Sequence, residues 1–130
     1  MSTVLLDTHV VHWWSAEPQR VSGPARTALE QADELAVAAI SWFELAWLAR
    51  NERIVVKIPI RSWLLGLAAQ LRTVAVTPAI ADTAVALPSS FPHDPADRLI
   101  YATAVEHDLR LVTKDRAIRN QAHPSSMAVW

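Results

Sequence analysis

Apolar positions along the chain fall into short runs separated by longer amphipathic stretches. "TVLL" (3–6), "LAVA" (35–38), "TVAV" (73–76) and "RLVT" (110–113) are four-residue runs of mostly aliphatic side chains. They are too short for helices and read as buried strands, with "MAVW" (127–130) as a last one. Between them the apolar spacing becomes helical. "HVVHWW" (9–14) predicts a short helix, and "SGPARTALEQA" (22–32) a turn followed by a helix with Pro24 at an early position. "ISWFELAWLAR" (40–50) predicts a helix opened by Ser41, and "IRSWLLGLAAQL" (60–71) one that is apolar around most of its circumference. "PAIADTAVAL" (78–87), "ADRLIYATAVEHD" (96–108) and "KDRAIRNQ" (114–121) complete the set, with Leu99, Ile100, Thr103 and Ala104 on one face of the second. "IVVKIP" (54–59) is ambiguous and reads as a short extended piece, while "PSSFPHDP" (88–95) is a rigid Pro-rich loop.

Strands alternating with helices imply βαβ units. The expected fold is therefore α/β, a central parallel sheet covered by helices on both faces, in which ligands sit beyond the carboxyl ends of the strands. The 130 residues, without repeats or low-complexity segments, suit a single domain over 1–130. An apolar fraction of 52% with 19% charged residues describes a globular chain. No apolar run approaches the ~18–20 residues of a membrane span. "MSTVLLDTHVV" has no basic leader and is interrupted by Asp7, so it does not read as a signal peptide. The absence of cysteine excludes a disulfide framework and thiolate zinc sites, and fits a reducing cytoplasmic setting.

Glycine is confined to Gly23 and Gly66, which removes the glycine-rich phosphate loops, and neither G-x-S-x-G nor H-E-x-x-H occurs. A net charge of −1 does not single out a nucleic-acid binder, so such a ligand needs a local basic rim. The dense candidate is "RLVTKDRAIR" (110–119), for which a solvated helix face is the plainer reading.

The acids are more informative. Asp7 ends the first predicted strand, Glu44 lies just beyond the second, Asp97 opens the helix after the "HDP" loop, and Asp115 follows the fourth strand. Each has a structural alternative. Asp7 or Thr8 caps a helix, Ser41 and Glu44 form an S-x-x-E capping box, Asp94 caps before Pro95 with Asp97 three positions on, and Asp115 caps "RAIR". Their common place at strand-to-helix junctions is harder to explain by capping. Carboxylates converging there repel by roughly 4 kcal/mol per pair at ~4 Å and an effective dielectric near 20. Such a cluster is tolerated by protonation or by a cation. Oxygen donors without cysteine point to Mg²⁺ or Mn²⁺, and the chemistry implied is phosphodiester hydrolysis.

"LLDTHVVHWW", "ISWFELAWLARNERI", "HDPADRLIYATA" and "LRLVTKD" resemble, in order and spacing over nearly the whole chain, the successive motifs of PIN-domain proteins. They are most similar to the VapC-type ribonuclease toxins whose first motif reads Asp-Thr-His. The resemblance implies a three-layer α/β/α sandwich, Mg²⁺- or Mn²⁺-dependent cleavage of RNA, a homodimer and neutralisation by a VapB-type antitoxin. It carries the acidic quartet onto Asp7, Glu44, Asp97 and Asp115, neighbouring polar positions onto Thr8 and Thr113, and a less central acid onto Asp94. Ala96 and Tyr101 depart from the usual pattern, away from the expected metal site. In the roles this implies, Asp7, Glu44 and Asp97 ligate the metal directly, and Asp115 acts through water or positions a second ion. Arg98, Lys114 and Arg116 are expected to hold the RNA backbone.

Among the histidines, His9 and His12 at i, i+3 lack a third ligand for zinc, and His9 is expected to be a hydrogen-bonded residue near the site. His93 is expected at its mouth, and His107 and His123 at the surface. The six tryptophans, Trp13, Trp14, Trp42, Trp47, Trp63 and Trp130, are many for this length, and half of them are expected to be core. The helices over 41–50 and 60–71 are apolar beyond one buried face, which predicts a dimer interface or a groove for an antitoxin segment. Two readings compete with the nuclease. A phosphatase of the haloacid-dehalogenase type wants an Asp where this chain has His9. A non-catalytic interaction module would use the acids only as caps.

Overall fold

β1 (Thr3–Leu6) is the central strand of a five-stranded parallel sheet, flanked by β2 (Glu34–Ala38) and β4 (Arg110–Val112). β3 (Arg72–Val74) pairs with the outer edge of β2 and β5 (Ala128–Val129) with that of β4, giving the order β3-β2-β1-β4-β5. This computed structural model describes residues 2–121 and 127–130, so His123 lies outside the described residues.

Alternation along β1 divides the core. Val4 and Leu6 face one layer with Val37 and Val112, whereas Leu5 faces the other with Ala36, Ala38 and Leu111. The first layer is covered by α1 (Thr8–Ala16), α2 (Gly23–Gln31), α3 (Ala39–Arg50) and α4 (Ile60–Ala68), through Val10, Val11, Ala25, Leu29, Leu45 and Leu67. The second is covered by α6 (Pro95–His107) and α7 (Arg116–Arg119), through Ile100, Tyr101, Ala104 and Ile118. α5 (Pro78–Ala86) lies outside α6, joined by Ile80, Ala84 and Ala102. The result is the expected three-layer α/β/α arrangement. No helix among the described residues is long and apolar enough to cross a membrane.

Capping follows local chemistry at most helix starts: Ser22 accepts from Ala25 N–H, Thr77 from Ile80 N–H, and Asp94 from Ala96 and Asp97 N–H. α3 and α4 start without a side-chain cap, and α3 is a correction. It begins at Ala39 with Ala38 in the N-cap position and no side-chain cap, so Ser41 does not open it and Ser41 with Glu44 is not a capping box. β2 runs into α3 without a loop, which leaves Ser41 a turn's depth inside the helix, wholly buried. The segment 54–59 forms neither strand nor helix.

Arg98 also differs from expectation. Its guanidinium donates to the backbone carbonyls of Ala84, Leu87, Pro88, Phe91 and Pro92, at 3.0–3.4 Å, and lies 5.8 Å from the Phe91 ring centroid. Phe91 is buried against Tyr101, with ring centroids 4.9 Å apart. Arg98 thus pins the Pro-rich loop to α6, and its donors are engaged by main chain; it is not placed to hold RNA. Five carbonyls on one planar fork are a demand that neutral side chains cannot meet. Arg98→Ala is expected to lower unfolding free energy by about 2–3 kcal/mol, read from urea denaturation, through loss of charge-assisted hydrogen bonds.

Candidate active site

The carboxyl ends of β1, β2 and β4 stand side by side, and each delivers an acid. The backbone N–H of Asp7 continues the ladder by donating to Val112 O (3.0 Å). Its side chain then turns into an open cleft and also caps α1, accepting from Thr8 N–H at 2.8 Å. The second Asp7 oxygen accepts from Thr113 Oγ1 at 2.6 Å, and the same Oγ1 accepts from Asp115 N–H at 3.1 Å. Thr113 is wholly buried just past β4, so one hydroxyl ties the first acid to the backbone of the last.

A second buried hydroxyl orients Glu44. Thr8 Oγ1 donates to Glu44 Oε1 at 2.5 Å and lies 2.9 Å from Ser41 Oγ. Since the one Thr8 hydroxyl proton is directed at Glu44, Ser41 is the donor to Thr8, giving the relay Ser41–Thr8–Glu44. Ser41 and Glu44 are three apart on α3 and so share a face toward α1. Their spacing is visible in the sequence but serves this relay, not a helix cap.

Asp97, in the first turn of α6, joins Asp7, Glu44, Asp94 and Asp115 along the cleft; Thr8, His9, Val10, Trp13, Arg20 and Lys114 complete its lining. Of the polar residues singled out from sequence, Thr113 lies beneath the cleft. Arg98 is bound to main chain as above, and Arg116 is exposed on the flank of α7. His12 Nε2 bonds Glu17 (2.9 Å), and among the described residues no three His, Asp or Glu side chains could hold a zinc ion. Arg20 belongs to the cleft and carried no motif that marked it, while Trp13 and Ser41 stood in motifs that gave them other roles.

The electrostatics report crowding. Burial pushes the Asp7 carboxyl up, against the opposing hydrogen bonds from Thr113 and Thr8 N–H. Burial likewise raises Glu44, with Asp7 and Asp94 adding to it and the Thr8 bond working against it. Asp97 is raised from 3.8 to about 7, first by burial and then by repulsion from Asp7, Asp94, Asp115 and Glu44. Asp97 accepts no hydrogen bond from the described residues to offset this.

An all-oxygen donor set with mutually raised acids suits a hard divalent cation. The convergence is looser than expected. Among the described residues no three Asp, Glu or His side chains are arranged to hold an ion together. Asp7, Glu44, Asp94 and Asp115 are each aimed by their own donors, and like charges favour separation.

The model of the family described as PIN domain matches residues 4–124. This chain belongs to the PIN-domain family, in its VapC branch. It is 68% identical over all 130 residues of both chains to "Ribonuclease VapC22" of Mycobacterium tuberculosis (strain ATCC 25618 / H37Rv). Its fold is similar to a toxin–antitoxin complex from Klebsiella pneumoniae, with TM-score 0.69, 22% identity, and 98% and 96% of the two chains covered. It is also similar to VapBC2 from Rickettsia felis bound to a promoter DNA fragment, with TM-score 0.70, 16% identity, and 98% and 97% covered. The phosphatase alternative falls with this assignment.

The raised acids make this PIN domain's stability pH-dependent. Asp97 binds its proton more tightly folded than unfolded, so its contribution is fully present below about pH 4 and is lost as pH rises through about 7. In chelator, the urea midpoint is expected to fall between pH 5 and pH 8. Asp97→Asn should flatten that fall; an unchanged slope would count against the crowding.

Proposed function

We propose that this chain is a divalent-metal-dependent endoribonuclease toxin that acts in the cytoplasm, hydrolyses RNA phosphodiester bonds, and is neutralised by a VapB-type antitoxin. The observation that supports it is the pair of acids that cap nothing. Asp94 and Asp115 accept the N–H groups of their own helices, and Asp7 caps α1 with one oxygen. Helix capping therefore explains these three in part. It does not explain Glu44 or Asp97, which face the same cleft at raised pKa with no structural return. This sets the nuclease above a non-catalytic module. The ribonuclease name of the 68% identical relative supports the same reading.

In the proposed site Asp7, Glu44 and Asp97 would hold the cation directly, and Asp115 would act through water or position a second ion. Mg²⁺ or Mn²⁺ fits the oxygen donors. A divalent cation bound there supplies Lewis-acid chemistry, acidifying water and drawing charge from a phosphoryl oxygen. The chain's own part is orientation. Thr113 and the Thr8 N–H fix the two Asp7 oxygens, and the Ser41–Thr8 relay fixes Glu44. Asp97, with its carboxyl raised to about 7 by burial and by its acidic neighbours, would supply a further oxygen to the cation. Lys114 lines the cleft as a contact for the RNA backbone, with Arg116 further out on the surface.

The partner surface lies on α3, α4 and their connector. Phe43 and Trp47, one turn apart on α3, are 68% and 48% exposed, and Leu65 on α4 is 64% exposed. Val55 and Ile58 in the connector are exposed as well. An apolar helix of the antitoxin suits this face, and a second copy of the chain completes a homodimer.

Two tests follow. Asp7→Asn and Glu44→Gln keep the hydrogen-bond acceptors used by Thr8 and are expected to fold. Cleavage of total RNA in Mg²⁺ or Mn²⁺ should fall by on the order of 10³-fold or more, as expected when metal chemistry worth several kcal/mol is lost. The metal-induced rise in melting temperature should vanish too, and undiminished cleavage by either variant would sink the assignment. Separately, Leu65→Glu should weaken capture by a co-expressed antitoxin roughly tenfold or more by burying a charge in the contact, with RNA cleavage retained. Unchanged capture would place the antitoxin elsewhere.

A further inference from the structure

The acidic cleft is lined by two cations that none of its carboxylates holds. Among the described residues, the ion pair recorded for Arg20 is with Glu17 at a long 3.8 Å, and none is recorded for Lys114. Glu17 is itself engaged at its other oxygen by His12 Nε2, at 2.9 Å. What the two cations share is an aromatic ring. The Arg20 guanidinium carbon lies 4.8 Å from the Trp13 ring centroid, and the Lys114 ammonium 5.5 Å from it. They reach it from separate parts of the chain, Arg20 from the turn Pro18–Arg20 after α1 and Lys114 from just beyond β4.

Trp13 is well placed to hold them. It is 8% exposed, and neighbouring rings fix its plane: Trp130 at 5.7 Å and His9 at 5.8 Å between centroids. Attraction to a ring face engages the charge of a guanidinium or ammonium without consuming its N–H donors. A salt bridge to a cleft acid would consume those donors and cancel the charge. Held by the ring, the cations remain free to bind an anion while the acids beside them remain free to bind a metal. The low exposure of Trp13 argues against a second use of its ring, as a platform for a stacked RNA base.

We propose that Trp13 is a positioning residue that holds Arg20 and Lys114 as a two-cation clamp on backbone phosphates beside the cleaved bond. The proposal rests on the RNA-cleaving reading above, and adds to it Arg20 as a binding residue and Trp13 as the element that sets the geometry. Because the contact is to phosphate, it is independent of RNA sequence and is screened by salt.

The test uses the full chain in an Asp7→Asn background, so that RNA is bound and not cut. Its probe is a mixed-sequence single-stranded RNA oligonucleotide, followed by fluorescence anisotropy over a salt series. Arg20→Gln and Lys114→Gln, both at exposed positions, are each expected to weaken binding roughly tenfold. Each should also lower the slope of log affinity against log salt by about 0.7, the value for one single-strand phosphate contact. Trp13→Leu should reproduce most of both losses, and adding Arg20→Gln to it should then cost little more. Trp13→Phe, which keeps a ring face, should retain most of the affinity. Should Trp13→Leu not fold, Arg20→Lys decides: it is expected to restore the salt slope but only part of the affinity, because an ammonium lacks the planar stacking of a guanidinium. Unchanged affinity and slope in Arg20→Gln would overturn the clamp, and full recovery by Arg20→Lys, or equal losses in Trp13→Phe and Trp13→Leu, would overturn the role of the ring. Failure of the native chain to cleave total RNA in Mg²⁺ or Mn²⁺ would overturn the nuclease reading itself. Cleavage with an indifferent Arg20→Gln would overturn the clamp alone.

Discussion

Repulsion among carboxylates gathered at one edge of a parallel sheet is the constraint to which the rest of this structure answers. With β1 between β2 and β4, the chain leaves three neighbouring strands at the same edge, and Asp7, Glu44 and Asp115 arrive there together. α6 adds Asp94 and Asp97 from the other face. Crowding is registered in the raised carboxyls of Asp7, Glu44 and Asp97, each led by burial. No residue at that edge relieves it by an ion pair among the described residues. The strain is accepted and held in place by neutral donors.

Three of the acids divide their work between architecture and chemistry. The N–H groups at the start of a helix form a partial positive charge, so an acid there stabilises the helix and is itself stabilised. Asp7, Asp94 and Asp115 use that arrangement for α1, α6 and α7. Strand-to-helix junctions at the carboxyl edge of a parallel sheet therefore favour acids for a structural reason. A site built from them begins with part of its charge already accommodated. Glu44 and Asp97 receive no such return from a helix N-terminus.

The layers and the acidic quartet were legible because they depend on local signals. Short aliphatic runs alternating with helical patterns indicate the parallel sheet, and Asp7, Glu44 and Asp115 after three of those runs indicate the edge on which the acids fall. What was not legible depends on long-range placement. Ser41 and Glu44 have the spacing of a capping box, but whether β2 ends in a loop or enters α3 directly is decided by packing, and Ala39 starts the helix instead. Arg98 follows an acid in a motif and invites a role with phosphate. Only the fold shows five main-chain carbonyls converging on it. Arg20 lies in a short turn with no periodicity to mark it, and its relation to Trp13 is made in space.

The choice of hydroxyls as orienting groups follows from what the cleft must remain able to do. An Arg or Lys paired to Asp7 or Glu44 would relieve the repulsion at once, and would also cancel the negative charge that attracts a cation. Thr113, Thr8 and Ser41 set the carboxylates by hydrogen bonds of 2.5–2.9 Å while leaving that charge intact. Their burial keeps water from competing for the same geometry, and it strengthens the electrostatics in both directions, repulsion before a cation binds and attraction after. Positive charge is nevertheless needed nearby for a polyanionic ligand. It must sit beside the acids without neutralising them. A ring face meets that requirement where a counter-ion could not, because it attracts a cation while carrying no charge to contribute to the cluster. Neutral groups thus act on both signs of charge in this cleft, hydroxyls on Asp7 and Glu44 and an indole on the cations.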